Sequence, residues 1–242
     1  MHTTSNYIYL FTLFEFSIVN FYRKKTRSIS TELGVRRHRN ICKRSLRRIH
    51  TIDLWLLTFV MGRYIGCSDS RVPANQILGL GPGEVFVHRN VGNQVIGSDM
   101  NCLSVIEFAV KHLNVKHIIV AGHYDCGAVH ASMKKQDLGL LENWIRSIRD
   151  VYRIHQQSMS LIEEPEQRHR RMVELNVIEQ CLNLYKTGAV QEKRMECIKR
   201  GDKLAYPRVH AMVFDPKVGL LKKLPINFRK VISQFKDIYD MY

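Results

Sequence analysis

Two short stretches of this chain carry the residue types of a metal-assisted reaction. "CSDSR" at 67–71 sets a thiol, a carboxylate and a guanidinium almost side by side. "GHYDCG" at 122–127 sets an imidazole and a second thiol three residues apart, between two glycines. An H-x-x-C turn can aim His123 and Cys126 at one ion, and Cys67 from a separate turn would complete a Cys₂His set. Such a set holds zinc through three protein ligands and leaves the fourth tetrahedral position to water or substrate. Two thiolates offset the charge of a dication, and soft sulfur disfavours magnesium and calcium. A lone H-x-x-C is weak evidence, because a strand-end histidine with satisfied hydrogen bonds is the commoner case. The planar fork of Arg71 can grip Asp69 through two charge-assisted bonds. That pair is either a surface ion pair worth about 0–1 kcal/mol or a device that holds a carboxylate beside a metal. Ser68 and Ser70 read as turn-forming residues, since nothing nearby nominates a base for a serine nucleophile.

For these side chains to meet, distant parts of the chain must end at one place. "GRYIGC" predicts a short strand ending at Cys67, and "EVFVHRN" (84–90) a second, after the turn "GLGPGE". "NCLSVIEFAVKHL" (101–113) places Leu103, Ile106, Val110 and Leu113 at helical spacing. "KHIIVAGH" (116–123) is too continuously apolar for a half-exposed strand and predicts a central parallel one ending at His123. Helices follow over 139–157 and 166–186. "RVHAMVFDP" (208–216) predicts a last strand, followed by an amphipathic tail. Strands joined through helices imply an α/β fold, a mostly parallel sheet flanked by helices with right-handed crossovers. Ligands in such sheets collect beyond the carboxyl ends of the strands, where Cys67 and His123 both fall.

The chain has 242 residues, 45% of them apolar and 24% charged, with a formal net charge of +15. Residues 1–62 hold eleven Lys/Arg against three acids, a net +8, which leaves +7 for the other 180 residues. The excess is thus concentrated in the leader, and the bulk charge argues against a nucleic-acid binder. Residues 1–60 read as a basic leader and 61–242 as the α/β domain that carries both motifs. The run "YIYLFTLFEFSIVNFY" (7–22) is broken by Glu15 and falls short of a stable membrane span. Three readings of the leader stay open: an organelle-targeting segment, a disordered or mispredicted start, or a signal-anchor. The expected compartment is cytoplasmic or mitochondrial. The six cysteines, at 42, 67, 102, 126, 181 and 197, lack the dense spacing of a disulfide scaffold. Cys102, Cys181 and Cys197 read as small buried apolar residues in helical segments. His88, His130 and His210 could relay protons near neutral pH, and none is assigned that role.

"CSDSR" and "GHxxCG" together resemble the β-class carbonic anhydrases. The likeness extends to "CSDSRVPANQILGLGPGEVFVHRNVGN", "NCLSVIEFAV", "KHIIVAGHYDCGAV", "GLLENWIRSIRDVY" and "ELNVIEQ", over roughly residues 63–222. The resemblance implies zinc-dependent, reversible hydration of CO₂ to bicarbonate and a proton by metal-bound hydroxide, with Cys67, His123 and Cys126 as the metal ligands. It makes Asp69 and Arg71 the catalytic pair, and Asp69 a fourth metal ligand in a closed state. It also implies a homodimer or dimer of dimers, with the active site at the subunit interface. A secondary bicarbonate pocket of Trp, Arg and Tyr in some members corresponds here to Tyr64, Arg89 and Phe214, so two of its three groups differ. A glutamine common nine residues before the first cysteine is Thr58 here. A zinc-binding homologue with weak catalysis, owing to this atypical N-terminus, is therefore the alternative.

Overall fold

The computed structural model describes residues 62–70, 72–235 and 237–242. The leader, Cys42, Thr58 and Arg71 lie outside the described residues.

In chain order the elements are β1 (Gly62–Cys67), α1 (Ala74–Leu78), β2 (Val85–Asn90), α2 (Met100–Glu107) and β3 (His117–His123). There follow α3 (Gly127–Ser132), α4 (Leu140–Ile154), α5 (Gln156–Ser160), α6 (Pro165–Tyr185), α7 (Gly188–Lys199), β4 (Arg208–Asp215), β5 (Leu220–Lys223) and α8 (Phe228–Ser233). The sheet order is β2-β1-β3-β4-β5, with every pairing parallel except β4 with β5. The chain moves outward from β1 to β2, then crosses back over β1 to lay down β3. The strand order therefore reverses between β1 and β3, and the crevice of an open α/β sheet lies at such a reversal. Cys67 and His123 are the last residues of those two strands.

The expectation of a parallel sheet with both faces covered holds in detail. On β3, Ile118 and Val120 enter the main core, while Ile119 and Ala121 face a smaller cluster with Tyr64 and Met212. This two-sided burial is why the strand reads as an unbroken apolar run. Helix α6 supplies the largest share of cover. Glu164 caps it by accepting the Glu166 and Gln167 amides, and Pro165 starts it where no intrahelical donor is needed. His169, Met172, Val173, Asn176, Val177, Gln180, Cys181 and Leu184 form its buried stripe. That stripe lies close against β3, for a Cβ on Gly122 would fall 2.6 Å from Val177 Cγ2.

Some elements differ from expectation. The helix expected over 101–113 is α-helical to Glu107 and then widens into a π-turn, Phe108–His112. The one expected over 139–157 ends at Ile154, and a separate short helix follows. The strand 208–216 is not the last. Leu220–Lys223 adds a four-residue antiparallel edge, too short to register as a period and carrying two lysines that mark it as an edge. Helix α7 was also not anticipated. Cys102, Cys181 and Cys197 are buried, as their contexts suggested. Among the described residues no helix is long and apolar enough to cross a membrane.

The β3–β4 pairing also buries two histidines together. His117 Nδ1 lies 2.9 Å from His210 Nε2, with the rings stacked at 5.2 Å. Burial, and then the charges of His117, Arg208 and Lys223, push His210 down to about 3. Burial, with Arg208 and Lys116, lowers His117 as well. An imidazole kept neutral in the fold but titrating near 6.5 in the unfolded chain favours folding fully above pH 6.5, and that contribution is lost as pH falls toward 3. Unfolding free energy measured in urea should therefore drop below pH 6.5 by up to about 1.4 kcal/mol per pH unit from this group. His210→Gln should flatten that slope.

Candidate metal centre

The β1–β3 register places Gly66 opposite Ala121, so the two strands end within one residue of each other and their following turns share one crevice. Cys67, His123 and Cys126 meet there, all buried, with their donor atoms within 4.8 Å of one another. The two sulfurs are 3.7 Å apart. Two thiolates bound tetrahedrally at about 2.3 Å from zinc would be about 3.8 Å apart, so the pair already has a coordination edge. His123 Nδ1 lies 3.0 Å from the Tyr124 carbonyl, which accepts its N–H. That bond fixes the tautomer and leaves Nε2 with a lone pair. Nε2 is buried and has no hydrogen-bond partner. A buried ring nitrogen of this kind calls for an electrophile. The donor set fits zinc.

The proton inventory agrees. The hydrogen bond from Cys126 holds the Cys67 thiol down at about 4, against burial and with help from His123 and the Gly92 amide. The same contact and burial drive Cys126 upward. The contact between the two sulfurs thus favours the thiolate on Cys67 and the thiol on Cys126. Burial depresses the His123 imidazolium, but the Cys67 sulfur and the Tyr124 carbonyl bring its net shift upward. A dication must displace the remaining protons, so affinity falls with acidity.

Each ligand loop is braced from outside. Gly92 donates its N–H to Cys67 Sγ at 3.3 Å, from a backbone at φ +80° that suits glycine. Asn176 on α6 donates to the Gly92 carbonyl at 3.0 Å, and Gln180 accepts the Val95 amide at 2.8 Å. Arg89 donates to the Cys67 carbonyl at 2.7 Å and to the Ser70 carbonyl, which shapes the turn after β1. On the other loop, His169 Nε2 lies 3.3 Å from the Cys126 carbonyl. The Tyr124 hydroxyl donates to Glu174 at 2.7 Å, while the Arg170 guanidinium sits 3.5 Å over the Tyr124 ring and pairs with Asp215. One helix, α6, therefore braces all three donor positions.

Asp69 links the two loops. Its Oδ2 accepts the Gly127 N–H at 3.1 Å, which sets the carboxylate beside Cys126 at the start of α3. Tyr64 is buried with its ring over Gly66, where a Cβ would lie 2.3 Å from Cε1. Phe214 is buried at the end of β4 and accepts the Tyr124 amide through its carbonyl. The three histidines named as candidate relays are not gathered here. His210 is paired with His117, His88 packs with Asn90, and His130 is exposed with its ring edge-on to His169 at 5.4 Å. Sequence reasoning missed Gly92, His169 and Asn176. "NVGN" and "ELNVIEQ" contained two of them, but nothing in their spacing says that an amide donates to a sulfur.

A family model for carbonic anhydrase matches residues 63–221. A carbonic anhydrase of Emericella nidulans is 51% identical over 178 residues, which is 74% of this chain and 75% of the relative. Among solved structures, one of two tetrameric β-carbonic anhydrases from Sordaria macrospora superposes with a TM-score of 0.62 at 30% identity, covering 86% of this chain and 98% of that one. A Coccomyxa β-carbonic anhydrase in complex with acetazolamide gives 0.61 at 34% identity, over 74% and 84%.

The brace on Cys67 can be tested directly. A Cβ at Gly92 would fall 2.7 Å from Ile148 Cδ1, besides straining the φ. Gly92→Ala should therefore move the amide off the sulfur and weaken zinc binding by roughly 10–100-fold, measured by competition with a chromophoric chelator.

Proposed function

The chain belongs to the β-carbonic anhydrase family, and on that premise we propose that it interconverts CO₂ and water with bicarbonate and a proton, using zinc held by Cys67, His123 and Cys126. The observation that carries this reading is the pair of sulfurs 3.7 Å apart facing a buried His123 Nε2 with no hydrogen-bond partner. Zinc in such a site lowers the pKa of a coordinated water toward about 7 and so supplies a nucleophile at neutral pH.

The chain's own residues do the rest. Asp69, docked on the Gly127 amide, would accept a hydrogen bond from the attacking oxygen and so orient that oxygen's lone pair toward the carbon of CO₂. Arg71 is assigned the matching grip on the carboxylate. The Tyr124 carbonyl holds the proton on His123 Nδ1 throughout, so the imidazole serves as ligand and not as base. Arg89 donates through Nε and Nη2 to the Cys67 and Ser70 carbonyls, which supports a role in bracing the turn after β1. The likeness to a tetrameric neighbour supports a homodimer or dimer of dimers.

Stopped-flow CO₂ hydration on the zinc-loaded full chain tests this. Asp69→Asn should lower turnover at least about 100-fold while one zinc stays bound, because an amide oxygen can still accept from Gly127. Full turnover in that variant would overturn the role of Asp69. Stripping zinc with a chelator should abolish hydration and reloading should restore it. Undiminished hydration by the metal-free protein would overturn the proposal itself.

A further inference from the structure

A second group of metal-type donors shares no residue with the first. His88 on β2, Asp99 at the cap of α2 and Cys102 in the first turn of α2 bring an imidazole nitrogen, a carboxylate oxygen and a thiol sulfur within 4.8 Å of one another. They come from two chain segments joined by the 91–98 loop, and each is held in place. Asp99 Oδ1 accepts the backbone amides of Asn101 at 3.1 Å and Cys102 at 3.3 Å, so the capping bonds fix the carboxylate against the residue that carries the thiol. Cys102 is wholly buried, with its S–H toward the Gln94 carbonyl at 3.8 Å. His88 is 9% exposed, and Asn90 Nδ2 approaches its Nε2 at 3.3 Å, a long contact that a metal can displace.

The charges around the cluster say which ion it would take. Arg63 is wholly buried beside it, with Nε, Nη1 and Nη2 all lacking hydrogen-bond partners. Burial, and then the Arg63 charge, lowers the His88 imidazolium, so the ring is neutral as a ligand must be. Burial pushes the Cys102 thiol up to about 11, with Arg63 opposing it. Without an ion Cys102 therefore keeps its proton. A dication that displaces it gains one thiolate, one carboxylate and one neutral imidazole, which together cancel its charge. Arg63 then leaves one positive charge in excess, and this penalises any ion that does not bond strongly to sulfur. Magnesium and calcium are excluded on that ground, and zinc or cobalt(II) fit.

We propose that His88, Asp99 and Cys102 form a second site for a thiophilic divalent cation, weaker than the Cys67–His123–Cys126 centre and independent of it. The site uses all three donors at once.

The test is a cobalt(II) titration of the full chain carrying one equivalent of zinc, read by thiolate-to-cobalt absorption in the near ultraviolet and by metal analysis after desalting. One further equivalent of cobalt should bind and develop the absorption while zinc stays at one equivalent. Cys102→Ser should abolish the absorption. His88→Gln, which leaves the core thiol in place, should weaken cobalt binding at least about tenfold. Three results would each overturn the proposal: no absorption in the unmutated chain, absorption that survives Cys102→Ser, or cobalt uptake only in step with zinc loss, which would mean exchange at the first centre. Zinc retention and CO₂ hydration report on the first centre separately, so failure of the second leaves the proposed function standing.

Discussion

Two sulfurs 3.7 Å apart in a buried crevice are the contact from which the rest of this structure follows. Two thiolates so placed would repel by about 4 kcal/mol at an effective dielectric constant of 20. The protein holds them there with a hydrogen bond between the sulfurs, a Gly92 amide on one of them and the Asp69–Gly127 tie across the loops. Geometric enforcement is needed if both sulfurs are to be ionised together. The adjacent ends of β1 and β3 provide it, and a dication relieves the repulsion.

The enforcement is concentrated in α6. Met172, Val173 and Val177 pack into the main core, while His169, Arg170, Glu174, Asn176 and Gln180 reach the Cys126, Tyr124, Gly92 and Val95 backbones or side chains. A helix that buries polar groups at this density requires each to find a partner. Asn176 and Gln180 are almost wholly buried and are bonded to one another at 3.1 Å as well as to the loop. Their cost in the core is offset by the loops they hold.

Much of this was legible in the residues. The apolar run 116–123 announced a central strand because β3 is covered on both faces, and "CSDSR" and "GHYDCG" announced the donor cluster because both begin at strand ends. The α/β class followed from the alternation. What could not be read had a common cause: it depends on contacts between residues far apart in the chain. The π-turn at 108–112 interrupts a flawless helical period. The edge strand at 220–223 exists because β4 offers it a free ladder. The donation from Gly92 to Cys67 spans 25 residues and involves a residue with no side chain. The clustering of His88, Asp99 and Cys102 was hidden in the same way, since Cys102 sits at a position that reads equally well as core filling.

The double duty of α6 has a consequence for how the protein opens. The loop carrying Gly92 is tied to Asn176 and Gln180 inside the same hydrophobic stripe that covers β3, so it cannot swing out while that stripe stays packed. Deuterium uptake at the Gly92 and Val95 amides then requires the same cooperative opening that frees the β3 ladder, which makes the surroundings of the Cys67–His123–Cys126 cluster part of the last foldon to yield.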